Sequence, residues 1–94
     1  MRYHMADITD YENTNPENIN EAFENLSGDV NYMLHKMKEF NKEVVELLGD
    51  MKELKDFVDV DMKNIDKYNI ARKAYIDLYY KFDDLRNYYD NSRN

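Results

Sequence analysis

The chain has 94 residues, 20 acidic and 13 basic, for a net charge of −7, and it holds no cysteine. That length admits a single domain with a modest core. The charge opposes direct binding of nucleic acid, whose affinity comes largely from Lys and Arg displacing counterions, and the absence of thiols removes disulfides, thiolate metal cages and cysteine nucleophiles.

Residues 1–14, "MRYHMADITDYENT", show neither a period of 2 nor one of 3.6 and are polar, so they are expected to form a flexible tail. The remaining residues, 15–94, are expected to form one helical domain. Asn15, Pro16 and Glu17 supply an N-cap, a first helical position that needs no N–H, and an acidic first turn, which predicts a helix start near Pro16.

From there apolar residues fall at Ile19, Phe23, Leu26, Val30, Met33, Met37, Phe40, Val44, Leu47, Met51, Leu54 and Val58, alternating steps of four and three. The stripe predicts one amphipathic helix over 16–58. Gly28 and Gly49 interrupt it chemically, because "SGD" and "LGD" each resemble a helix end followed by an Asp N-cap. The stripe keeps its phase across both, and a helical glycine costs about 1 kcal/mol against the ~1.5 to 3 kcal/mol of burying a leucine, so continuity is the expectation. With Val30 and Met37 at heptad position a, Leu34 and Leu48 fall at e, giving the wider face of a bundle helix.

The stripe lapses around residues 59–67, where the main break is placed. A second register, Tyr68, Ala71, Tyr75, Leu78, Phe82, Leu85 and Tyr89, predicts a helix over 63–91. The expected fold is therefore all-α: a long helical hairpin with coiled-coil-like packing, or a three-helix bundle if the chain bends at Gly28. Helices of about 64 Å and 43 Å do not match end to end. In a simple hairpin Ile19, Phe23 and Leu26 would overhang and need cover from another copy or a partner, which makes a homo-oligomer the expectation.

No catalytic, cofactor-binding or metal-binding residue is nominated. His4 and His35 lie in no metal-binding spacing. "DVDMKNIDKYNI", residues 59–70, has Asp at the first and third positions of a calcium loop, yet Asn64 stands where glycine is needed and Ile70 where glutamate is. Glycine-rich phosphate loops and serine nucleophile elbows are missing, so neither an enzyme nor a small-molecule substrate is expected. No apolar run approaches the roughly 18 residues of a membrane span, and residues 1–14 lack a signal core, so a cytoplasmic protein with no membrane partner is expected.

Two surfaces stand out. Glu39, Glu43, Glu46, Asp50 and Glu53 recur at four and three as an acidic row, and six of the nine tyrosines lie between residues 68 and 89. Ile76, Tyr79, Tyr80 and Tyr88 lie off the centre of the second stripe or at its border and, with Ile19, Phe23 and Leu26, form the candidate interface. The function expected is non-enzymatic protein interaction or assembly. The alternative is a small acidic inhibitor that fills the nucleic-acid groove of a target protein. The richness in Asn, Lys, Asp, Tyr and Ile matches an AT-rich genome such as that of a low-GC bacterium or its phage.

Overall fold

The computed structural model describes residues 8–13, 17–40, 45–59 and 64–92. Its elements are α1 (Ile8–Asn13), α2 (Ile19–Phe40), α3 (Val45–Asp59) and α4 (Ile65–Ser92). The three long helices pack on one another as an all-α three-helix bundle, and α1 is laid against α4. At 1.5 Å per residue the 28 residues of α4 span about 42 Å, close to the 44 Å long axis of the molecule.

Local chemistry explains where α2 and α4 begin. Asn18 caps α2: its Oδ1 accepts the Glu21 N–H at 3.2 Å while its carbonyl accepts from the Ala22 N–H at 3.0 Å. Asn64 repeats the arrangement on α4, accepting from the Lys67 N–H at 2.9 Å. Each cap satisfies a donor that the first helical turn leaves without an intrahelical partner. The start expected near Pro16 thus moves to Ile19; Glu17 and Asn18 precede the helix, and Asn15 and Pro16 lie outside the described residues.

The expectation of one unbroken helix over 16–58 is corrected. Helix α2 ends at Phe40 and α3 begins at Val45, and the two pack against each other, so the chain reverses between them; residues 41–44 lie outside the described residues. The reversal is antiparallel, because Ser27 Oγ, early in α2, donates to Asp59 Oδ1 at the end of α3. Both glycines sit inside helices, Gly28 in α2 and Gly49 in α3, as phase continuity predicted, and neither has a positive φ. The break escaped notice because a turn of suitable length returns the chain with its apolar stripe again facing inward. Spacing records which face is apolar and carries no sign for the direction of travel.

The reversal also removes the overhang. Phe23 and Leu26 are 1% and 0% exposed, and Ile19 packs partly buried against the same core. The T-shaped ring pairs Phe23–Tyr68, at 5.6 Å, and Phe40–Phe82, at 5.5 Å, set α4 alongside α2 and parallel to it. The core contains Val30, Met33, Met37, Met51, Leu54, Val58, Ala71, Tyr75, Leu78 and Phe82, all drawn from the two sequence stripes.

The flexible-tail expectation fails for residues 8–13. A six-residue helix is too short to persist on its own propensity, and α1 is held by its packing: Tyr11 is buried, its ring 5.1 Å from that of Tyr75. Arg72 Nη1 donates to the Tyr11 carbonyl at 3.1 Å, supporting the helix end from α4. Among the described residues no helix is long and apolar enough to cross a membrane.

Candidate protein interface

Of the nominated interface residues, Phe23 and Leu26 belong to the core and Ile19 is half-buried, so the ground for expecting a second copy over them is gone. Ile76 and Tyr79 are partly buried against the core. Tyr75, Tyr79 and Tyr80 form a chain of ring contacts at 6.2 and 5.7 Å, which Tyr11 extends, and the Tyr80 hydroxyl donates to Glu12 Oε1 at 2.7 Å. The middle of the tyrosine-rich face is thus where the chain's own α1 docks. Tyr88, 65% exposed, lies away from that contact.

Docking of α1 buries polar groups that the sequence did not single out. Asp29 is 1% exposed inside the bundle, and the Tyr11 hydroxyl donates a hydrogen bond to its Oδ2. Burial, and then the hydrogen bond and charge of Asp29, push the Tyr11 phenol far above its ordinary value; burial also raises Tyr68, with Arg72 opposing. The pair was legible only in part. Asp29 lies next to Val30 at the edge of the stripe, and nothing local says that a tyrosine eighteen positions earlier will meet it.

The acidic row does not survive as one row. Glu39 ends up at the tip of α2, in a recess of about 240 Å³ shared with Lys36, Phe40, Phe82 and Arg86. Glu43 lies outside the described residues, while Glu46, Asp50 and Glu53 follow one flank of α3. Because α2 and α3 run in opposite directions, Glu39 no longer shares a face with Glu46, Asp50 and Glu53.

That flank of α3 borders an open groove of about 400 Å³ against α4. Leu54, Ala71 and Leu78 are buried beneath it as an apolar floor. Phe57 and Ala74 are half-buried along its sides, and Ile70 is 61% exposed. Asp50 and Glu53 rim it from α3, Asp77 and Lys81 from α4, with Lys81 Nζ 3.1 Å from the Asp77 carboxylate. Glu46 continues the α3 flank one turn toward its N-terminus, and Tyr88, two turns beyond Lys81, continues the α4 flank. Hydrocarbon, carboxylates and one ammonium make a set suited to noncovalent recognition. Among the described residues no three His, Cys, Asp or Glu side chains come together as a metal-holding group.

The sequence reading missed Phe57, Ile70 and Ala74. Their signal was that they lie off the apolar stripes on either side of the break at residues 59–67, where a hairpin brings two flanks together.

The structure therefore defines an acidic, all-α three-helix bundle with an open, acid-rimmed groove between α3 and α4. No protein-family model, curated protein or solved structure matches the chain.

Proposed function

We propose that this is a non-enzymatic, cytoplasmic protein-interaction module that receives another protein on the face between α3 and α4. One observation supports this above the others: Ile70 stays 61% exposed beside Phe57 and Ala74, over a buried apolar floor, while the stripe residues among the described ones are buried or half-buried. An exposed apolar strip with a polar rim is the usual mark of a contact surface. A net charge of −7 favours a different protein over a second copy, since like charges repel across such a contact.

A second reading, an acidic inhibitor that enters a basic cleft, draws on the presence of carboxylates on two adjoining helices: Glu46, Asp50 and Glu53 on α3 and Asp77 on α4. Charges spaced about 5.2 Å along one helix are sparser than the about 3.4 Å per strand of a duplex, so only such a pairing approaches its density. The apolar floor favours the first reading, because a decoy for phosphates has no use for it.

The test is site-specific photo-cross-linking in the native host. A photoreactive side chain at Ile70 captures a partner protein, and the same group at the exposed Glu24 of α2 does not. Equal capture from both positions, or none from Ile70, overturns the assignment of this face. Capture that disappears in about 0.5 M salt selects the inhibitor reading, since apolar contacts persist under that screening.

A further inference from the structure

The three long helices create three outer seams, and the chain treats each differently. Along the α2–α4 seam, α1 lies down and inserts Tyr11 between Asp29 and Tyr75. The α2–α3 seam is tied by a polar link, Ser27 to Asp59 at 3.0 Å, with Lys55 holding the same carboxylate at 2.6 Å. The α2–α3 seam also holds a recess, over Phe23 and Val58, which are 1% and 2% exposed, whereas the α3–α4 groove leaves Ile70 61% exposed.

Building on the interaction reading above, we propose that the α3–α4 groove binds a basic amphipathic helix of another protein, which completes the bundle as a fourth long helix. Shape comes first. The groove is lined from Asp50 to Phe57 on α3 and from Ile70 to Lys81 on α4, about 17 Å along α4, the length of a three-turn helix segment. Small residues at its floor and side, Ala71 and Ala74, allow a helix to approach closely.

Charge then decides the occupant. Three carboxylates, Asp50, Glu53 and Asp77, line the groove against one ammonium, Lys81; Glu46 continues the α3 flank, and Lys67 Nζ lies 4.9 Å from the Phe57 ring at the opposite end. Asp77 is paired with Lys81, whereas Asp50 and Glu53 form no ion pair among the described residues. The groove is also polar along its length: Phe57 and Ile70 lie at the end where α3 finishes, and the carboxylates gather toward the start of α3. The matching helix carries an apolar stripe at i, i+3, i+4 and i+7, with Lys or Arg flanking it and concentrated toward the end away from Phe57. A second copy of this acidic chain does not present that charge.

The experiment uses the full chain and two fluorescent 16-residue helical peptides with one leucine stripe, flanked in one by lysines and in the other by glutamates; binding is followed by anisotropy. The lysine peptide binds and the glutamate peptide does not. The double change Glu53→Lys and Asp77→Lys weakens the lysine peptide about tenfold, Ile70→Glu does the same, and Glu24→Lys with Glu21→Lys, an equal charge change on α2, leaves it within about twofold. All altered residues are exposed, and circular dichroism confirms that each variant keeps its helicity. Equal binding of both peptides, no binding of either, or equal weakening by the α2 substitutions overturns the proposal. Absence of peptide binding together with specific cross-linking at Ile70 refutes the basic-helix occupant while leaving the interaction face in place.

Discussion

The hydroxyl of Tyr11 donates its hydrogen to the carboxylate of Asp29, so a helix of six residues is tied to a charge inside the bundle. Removing that donor takes a hydrogen bond from a buried acceptor, which generally costs about 1 to 3 kcal/mol. Tyr11→Phe keeps the ring against Tyr75 and should lower unfolding stability by that amount in urea titration. A change under about 0.5 kcal/mol, within the usual range of surface substitutions, would show that α1 contributes little to the folded state.

The same contact gives a pH dependence. Folding raises the Tyr11 phenol above its ordinary value of 10.0, chiefly through burial and secondarily through Asp29. The folded state therefore holds this proton more tightly than the unfolded chain does. Its contribution is complete below pH 10 and is lost as pH rises above that value, where the unfolded chain begins to ionise. Urea midpoints should fall above about pH 10, and more steeply for the parent than for Tyr11→Phe. Tyr68, raised in the same direction by burial, keeps a smaller slope in the variant. Parallel curves for the two proteins would refute the assignment to Tyr11.

Leu26 separates the bundle from the overhanging hairpin. It is 0% exposed within the chain, so Leu26→Ala should cost about 2 to 5 kcal/mol of unfolding free energy at any protein concentration. In an assembly that used Leu26 between copies, the loss would depend on concentration. Denaturation at two concentrations a hundredfold apart checks this, and matching midpoints are expected.

Gly49 offers a gain. It lies inside α3 without a positive φ, and a Cβ built there meets nothing within 4 Å. Gly49→Ala should stabilise the chain by about 0.5 to 1 kcal/mol through helix propensity and a less mobile unfolded chain. A lower melting temperature in calorimetry would mean that the glycine is needed for something other than helix continuity.

Asn64 closes the first turn of α4 with its side chain at 2.9 Å from the Lys67 nitrogen. Asn64→Ala should cost about 1 kcal/mol, and Asn64→Asp, which keeps the acceptor, should restore most of it. Equal losses from both substitutions would argue that the cap is not what starts the helix.

Much of this molecule was legible before its structure. The core stripe from Phe23 through Val58 and from Tyr68 through Phe82 is the one read from spacing, and α4 begins and ends within two residues of the expected 63–91. Burial of a helix face depends on a local period, and a local period is written in neighbouring residues. Tyr11 had no such signature. It lies in six polar-looking residues, and its burial depends on Asp29 and Tyr75, distant in sequence and brought together by the packing of two other helices. The candidate surface divided along the same line. Tyr88 was nominated and is exposed, whereas Phe23 and Leu26 were nominated because of a helix end that falls elsewhere.

The amino-acid order by itself determined that the chain is helical, which face of each helix is apolar, that both glycines stay within helices, and that the surface is acidic. These follow from side-chain chemistry repeated at the period of one helix. Only the tertiary structure decided that the chain turns back between Phe40 and Val45, that α1 closes one seam, and that Phe57 and Ile70 share a groove with Asp50 and Asp77 along another. Those outcomes depend on direction and on contacts between distant segments, and a periodic stripe looks the same whichever way the chain runs.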